Sequence, residues 1–103
     1  MSAYAIAHLT MTDAEGYRQY TSRFMPILRQ YRGRILMGDD HVRVLEGEPP
    51  AGRHVILEFD DVDAAERWYQ SPEYQAILPH RTANSVIHFV AIGRGIPRPA
   101  AAD

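Results

Sequence analysis

The stretch RWYQSPEYQAILPHR, residues 67–81, ends one helix and begins another, and this break indicates how the chain covers a sheet. Ser71 is a favourable helix N-cap, and Pro72 follows at position N1. The backbone N–H that proline lacks would make no hydrogen bond within the helix at that position. The apolar residues before the break are Ala65, Trp68 and Tyr69, and those after it are Tyr74, Ile77 and Leu78. We expect Pro79 to end the second helix, and the change of direction to let one segment follow a twisted sheet.

Further elements are predicted on both sides of this segment. The apolar run Ala3–Met11 predicts a first strand, and a Thr12-x-x-Glu15 capping box predicts a helix that Gly33 closes as its C′ residue. A short strand, a Gly-Asp-Asp turn and a second strand at Val42–Glu46 come next, either as a hairpin or as one interrupted strand. The remaining predicted elements are a strand at Arg53–Phe59, a helix starting at Asp63 with Glu66, and a strand at Ser85–Ile92.

The order β-α-β(β)-β-α-β predicts an α+β, ferredoxin-like βαββαβ protomer with two helices on one face of an antiparallel sheet. We expect one domain over residues 1–93 and a flexible tail over 94–103. In the first and last strands, apolar residues occupy both sets of alternating positions, so both faces of each strand are apolar. Two helices cover only one face, so a homodimer that pairs the second faces is the simplest way to bury them.

Composition excludes several classes of protein. The net charge of -2 comes with scattered Lys and Arg, which disfavours nucleic acid as a partner. The chain has no cysteine, so thiolate metal sites and a Cys nucleophile are unavailable. The start, MSAYAIAHLT, has neither the basic region of a signal peptide nor the length of a membrane span, which predicts a cytoplasmic protein that does not enter membranes.

Several short motifs together resemble a known family. YRGRIL, VLEG, LEF, an Ala-rich helix start before WY, and SPEY with a following Arg occur in that order. From about Tyr4 to Ala91 the chain resembles domain of unknown function 1330, within the dimeric α/β-barrel superfamily. The resemblance implies a ferredoxin-like protomer in a dimeric barrel, in a superfamily of cofactor-free monooxygenases, lactone isomerases, haem enzymes and noncatalytic binders. The family commonly has two glycines where this chain has Arg32-Gly33, and His8 and His88 match none of its motifs.

The candidate catalytic residues are Glu58 and His8. Glu58 lies in the hydrophobic strand VILEF, where burial would raise its pKa, and a neighbouring histidine makes a common proton-transfer pair. In a ferredoxin-like order the first strand lies between the third and the last, so His8, Glu58 and His88 are expected to be neighbours. The alternatives are a metal site built from the same three residues, hydrogen-bonded histidines, and an ion pair of Glu58 with Arg34 or Arg81. His54 and Glu58 cannot share one ion, because four residues of strand span about 13 Å.

The candidate ligand-binding residues are two arginines and three aromatic residues. Arg34 and Arg81 can hold a carboxylate or carbonyl oxygen in a bidentate manner, although Arg81 can equally cap the second helix. Tyr20, Trp68 and Tyr74 belong to an aromatic lining that suits a planar ligand, and a plain core is the competing interpretation. The sequence has no P-loop, no nucleophile elbow and no dinucleotide motif, and its histidines show no H-x-H, H-x-x-x-H or H-x-x-E-H spacing, so we predict neither a cofactor nor a metal site.

These observations predict a dimer that binds a small organic molecule between sheet and helices. A cofactor-independent reaction of the monooxygenase or isomerase kind is one form of this function. A noncatalytic binding or structural dimer is the alternative.

Overall fold

The computed structural model describes residues 1–97, which form one four-stranded antiparallel sheet and three helices. The strands are β1 (Ala3–Met11), β2 (Arg34–Asp39), β3 (Arg53–Phe59) and β4 (Ser85–Arg94), in the spatial order β2-β3-β1-β4. The helices are α1 (Ala14–Gln30), α2 (Val62–Gln70) and α3 (Pro72–Thr82). This is the predicted ferredoxin-like arrangement, with β4 two residues longer than expected. Most of the predicted tail, residues 98–103, lies outside the described residues.

Both ends of α1 differ from the prediction. The N-cap is Asp13, not Thr12, because the Asp13 carboxylate accepts hydrogen bonds from the backbone N–H groups of Glu15 and Gly16. At the other end Arg32, not Gly33, takes the left-handed C′ conformation with φ 61°. The backbone N–H of Gly33 donates to Leu28 O and that of Arg32 to Arg29 O, which is a Schellman motif shifted by one residue.

Gly33 is required by packing instead of by its backbone conformation. A Cβ at this position would lie 2.7 Å from Cε1 of Phe59 and would also collide with the Leu28 side chain. The helix terminus therefore sits directly on the core, and only a residue without a side chain fits there.

The predicted strand at Val42–Glu46 is wrong. Residues 40–52 form one loop that joins β2 to β3. Thr10 Oγ1 donates to Ala51 O at 2.6 Å, and the backbone of Gly52 approaches Leu9 so closely that a Cβ would collide with its carbonyl oxygen. The loop is therefore held against β1 instead of pairing as an additional strand.

The helix break at Ser71 is confirmed. Ser71 Oγ accepts from the backbone N–H of Tyr74 at 3.1 Å and donates to Trp68 O at 2.7 Å, so one side chain joins α2 to α3. The α2 N-cap is Asp61, two residues before the expected start. Pro79 does not end α3, which continues to Thr82 and buries Tyr74, Ile77 and Arg81 on one side. Burial of this face offsets the backbone donor lost at proline.

The two faces of the sheet have different surroundings. Ala3, Ala5 and Leu9 of β1 point towards the helices and are buried, as are Leu57 and Phe59 of β3. The alternate residues form the open face, which no helix covers. There Ile6 is 36% exposed, Phe89 45% and Val86 53%. The prediction that a protomer leaves a second apolar face uncovered is confirmed; pairing of these faces in a dimer stays a prediction.

Candidate functional site

A cavity of about 440 Å³ lies between the helix-covered face of the sheet and the helices. Its walls are mainly apolar and aromatic, which is typical of pockets for small organic molecules. The helices contribute Tyr17, Tyr20, Thr21, Phe24, Trp68, Tyr74 and Arg81, the strands contribute Ala5, Ala7, Leu9, Ile35, Gly38, Asp39, Arg53, Val55, Leu57 and Val90, and the 40–52 loop contributes Asp40 and His41. Of the five residues predicted to bind a ligand, this cavity brings together Tyr20, Trp68, Tyr74 and Arg81.

Arg81 is a buried cation without a protein counterion at the cavity wall. The residue is only 5% exposed, and its Nε and Nη1 atoms have no hydrogen-bond partner within residues 1–97. Burial acts to lower the pKa of Arg81, but Tyr74 and Tyr20 act to raise it, and the net direction is upward. The guanidinium therefore stays charged, and its Nε and Nη1 atoms remain without acceptors among the described residues.

Tyr20 and Tyr74 also contribute polar groups to the wall of the cavity. Tyr20 and Tyr74 are joined through their hydroxyl groups at 2.8 Å. Burial is the main cause that raises the pKa of both tyrosines, most strongly that of Tyr20, so both remain protonated at neutral pH. Because one hydroxyl donates to the other, the accepting tyrosine keeps its own proton free for a ligand. Trp68 lies against Tyr74, with ring centroids 4.3 Å apart.

An ion pair between Arg53 and Asp40 lies at the part of the cavity nearest the 40–52 loop. The guanidinium of Arg53 donates through Nε and Nη2 to both carboxylate oxygens of Asp40, at 2.5 and 3.1 Å. These hydrogen bonds are the main cause that lowers the pKa of Asp40. Arg53 also lies over the ring of Tyr17, 5.7 Å from its centroid. This bidentate contact ties the loop to β3 beside the cavity.

Sequence reasoning missed Arg53 and Asp40. A signal for Arg53 was available, because it shares strand parity with Val55 and Leu57 and must therefore face the helices. No comparable signal existed for Asp40, since it lies in a loop whose path depends on contacts made after folding.

Glu58 and Arg34 lie away from the cavity, on the open face of the sheet. Arg34 Nη2 donates to Glu58 Oε1, and the Tyr4 hydroxyl donates to Glu58 Oε2 at 3.2 Å. Register explains the contact, because Glu58 lies opposite both Tyr4 on β1 and Arg34 on β2. The structure therefore places Arg34 as the partner of Glu58, the ion pair considered as an alternative, and does not bring it to the residues that line the cavity.

His8 lies in a cluster of three imidazoles on the same open face. Its ring stacks on that of His54 with centroids 3.9 Å apart and lies 4.5 Å from that of His88. His88 occupies a β-bulge between the pairs His8–Phe89 and Leu9–Ile87, which turns it towards Thr10, whose Oγ1 lies 2.7 Å from His88 Nε2. Of the predicted trio, His8 and His88 meet, and His54 takes the place expected for Glu58.

His8 is only 3% exposed, although it lies on the open face. Burial is the main cause that lowers its pKa, and the neighbouring His54 and His88 act in the same direction, against a hydrogen bond to the backbone of Pro50. Within residues 1–97, no three His, Asp or Glu side chains are arranged so that they could hold one metal ion. The cluster is thus an arrangement of stacked rings under the 40–52 loop.

Several solved structures share this fold. A protein of unknown function from Rhodopseudomonas palustris superposes with a TM-score of 0.76 at 15% identity, covering 94% of this chain and 84% of that chain. SnoaB, a cofactor-independent oxygenase from Streptomyces nogalater, superposes with a TM-score of 0.64 at 13% identity, with coverage of 96% and 97%. An ethyl tert-butyl ether D (EthD) family protein from Bacillus halodurans gives a TM-score of 0.62 at 15% identity, with coverage of 93% and 100%.

At these identities the similarity shows the fold alone, which is the ferredoxin-like fold of dimeric α/β-barrel proteins. No curated protein matches the sequence. Among the described helices, none is both long and apolar enough to cross a bilayer. The family model described as domain of unknown function (DUF1330) matches residues 2–94, and the chain belongs to this family.

Proposed function

We propose that this protein binds a small organic molecule in the cavity between the sheet and the helices. One observation carries the proposal: an aromatic cavity of about 440 Å³ is lined by a buried arginine and a buried tryptophan, and Nε and Nη1 of the arginine and Nε1 of the tryptophan have no partner within the described chain. Buried polar groups in folded proteins are nearly always hydrogen-bonded. A protein that needed this region only as a core would gain stability by filling the space with apolar side chains.

The working form in this proposal is a homodimer. Ile6, Val86 and Phe89 are a third or more exposed on the open face of the sheet. A second copy facing the same surface would bury them, and a twofold axis makes the contact self-complementary. The dimer leaves the cavity on the other face of each sheet, where the helices enclose it.

A cofactor-independent reaction of the monooxygenase or isomerase kind is the catalytic form of the proposal. SnoaB is described as a cofactor-independent oxygenase on this fold, and the similarity to it supports the possibility only at the level of fold. The second candidate, a noncatalytic binding or structural dimer, is favoured by the position of Glu58, whose carboxylate is paired with Arg34 outside the cavity. Conversion of a bound compound by the purified protein without any added cofactor separates the two.

Ligand binding is tested by screening small aromatic compounds by thermal shift and by fluorescence. Trp68 is the single tryptophan and lines the cavity, so its emission reports directly on occupancy. A compound at a hundred times its Kd should add about 2.7 kcal/mol to the free energy of unfolding.

Two variants locate the binding. Val90→Phe places a larger side chain in the cavity wall and should abolish the shift, whereas Gln19→Phe, on the exposed side of α1, should retain it. Equal shifts in both variants would show that the compounds bind elsewhere, and a screen without any shift would count against the binding function.

A further inference from the structure

The hydrogen-bonding groups left without a partner at the cavity are all donors. They are Nε and Nη1 of Arg81 and Nε1 of Trp68, each buried and each without a partner in residues 1–97. Neither side chain can accept a hydrogen bond, since guanidinium and indole carry only N–H groups. A bound molecule that satisfies them must present acceptor atoms.

The charges of the residues that line the cavity indicate which kind of acceptor the ligand presents. Among the described residues, Arg81 makes no ion pair, whereas the other arginine at the cavity, Arg53, is neutralised by Asp40. The second carboxylate there, Asp39, accepts from the backbone N–H of His41. A buried, unpaired guanidinium is costly unless an anion joins it, and a carboxylate supplies both the negative charge and the acceptor oxygens.

The remaining walls define the body of the molecule. Tyr20, Tyr74 and Trp68 line the helix side of the cavity together with Arg81, and Ala5, Leu57 and Val90 line the sheet side. Flat aromatic rings favour stacking with a planar, conjugated partner. The free hydroxyl proton of the tyrosine pair adds one more donor beside the arginine.

We infer that the ligand is a planar, conjugated carboxylate whose anionic group binds Arg81, with Trp68 and the Tyr20–Tyr74 pair as additional donors. The inference rests on the proposed function and specifies its ligand class. It assigns Arg81 as the residue that selects an anion over a neutral molecule of the same shape.

The test compares trans-cinnamate with trans-cinnamamide by isothermal titration calorimetry. The two compounds have nearly the same shape and differ in charge. We expect cinnamate to bind the unmodified protein at least ten times more tightly than the amide. Equal affinities would overturn the anion inference and leave the binding function intact, whereas failure of both compounds to bind would overturn both.

Variants then assign the preference to Arg81. Arg81→Gln should reduce cinnamate affinity to that of the amide, and Arg67→Gln, an exposed arginine on the adjacent α2, should keep the full preference. A preference that survives in Arg81→Gln would overturn the assignment. If Arg81→Gln does not fold, Arg81→Met removes the charge with an apolar side chain of similar length, and a preference for cinnamate that survives in that variant would likewise overturn the assignment.

Discussion

The two faces of the sheet carry their polar groups in opposite ways. On the helix-covered face a charged guanidinium is buried with two donors unpaired, next to about 440 Å³ of open volume. On the open face Glu58 is paired with Arg34 and Tyr4, and His8 stacks on His54, although His8 Nε2 and His54 Nδ1 have no hydrogen-bond partner within residues 1–97. The helix-covered face thus contains a buried charge without a counterion among the described residues, while the unpaired atoms of the open face belong to stacked imidazole rings.

This contrast shows why residue type alone is a poor guide to a site. Glu58 and His8 attracted attention because carboxylates and histidines commonly perform acid–base chemistry. Both side chains lie on the open face, where Glu58 pairs with Arg34 and His8 packs against His54, so neither reaches the cavity. A catalytic role for Glu58 and His8 accordingly remains a proposal that a binding experiment has to decide.

The largest expected effect is on the helix-covered face. Trp68→Ala removes a side chain that is 3% exposed and contacts Phe59, Phe24 and Tyr74, and it should lower the free energy of unfolding by about 3 to 5 kcal/mol. Urea denaturation followed by circular dichroism measures the change. A loss below about 1 kcal/mol would mean that this face tolerates open volume, and would weaken the distinction between core and cavity.

The second largest effect is expected on dimer assembly through the open face. Phe89→Glu places a charge on a surface that we propose to be buried between two copies, so the dimer should dissociate at least ten times more readily. Sedimentation velocity over a concentration series gives the equilibrium. Gln19→Glu adds the same charge on the exposed side of α1 and should leave assembly unchanged. A folded monomer of the unmodified protein at micromolar concentration would rule out the dimer.

The order of the strands and the break at Ser71 could be predicted because each depends on local signals. Alternating apolar residues define strand faces, and Ser-Pro defines a helix start. The left-handed residue at the end of α1 was misassigned by one position, since packing of Gly33 on Phe59 outweighs the preference of glycine for that conformation.

The site itself was only partly predictable. Aromatic spacing on α1, α2 and α3 correctly grouped Tyr20, Trp68 and Tyr74 on the helix side, and Arg81 joined them because α3 continues past Pro79. The register between β1 and β3 could not be predicted from the sequence. In the structure Glu58 lies opposite Tyr4, while His8 lies opposite His54. A bulge in β4 then turned His88 towards Thr10, and no pattern in the sequence marks that extra residue.

A smaller effect is expected at the junction that shapes the cavity wall. Ser71→Ala removes the cap of α3 and the hydroxyl that binds Trp68 O, and should cost about 1 kcal/mol without changing assembly. Urea melts measure the loss. Ser22→Ala is the matched control, because Ser22 is exposed and makes only a long contact with Gln19 O. Equal stability of the two variants would show that the helix restart is held by other contacts.

The histidine cluster predicts a dependence of stability on pH. The pKa of His8 is lowered in the folded protein, mainly by burial, so the unfolded chain binds more protons as the pH falls below about 6.5. The contribution of neutral His8 is complete above that pH and is lost as the pH falls towards its folded-state pKa. The free energy of unfolding should therefore decrease below about pH 6.5.

Replacing His8 isolates its share of this decrease. The slope of stability against pH should be shallower in His8→Leu and unchanged in His41→Gln, which alters an exposed histidine of the loop. His54 and His88 lie against His8 and act to lower its pKa, so they take part in the contribution assigned to His8. An identical slope in His8→Leu would contradict the origin assigned here.

The smallest expected effect on stability distinguishes the two faces most directly. Glu58→Gln keeps an acceptor for the Tyr4 hydroxyl and removes the charge opposite Arg34, whose side chain is 72% exposed. Because solvent screens such a pair, the loss should be about 1 kcal/mol or less. Binding of trans-cinnamate, measured by calorimetry, should not change, since Glu58 does not line the cavity. Loss of binding in a variant that keeps its fold would reverse the comparison: the open face would then be the functional one, and the unpaired donors around Arg81 would need another explanation.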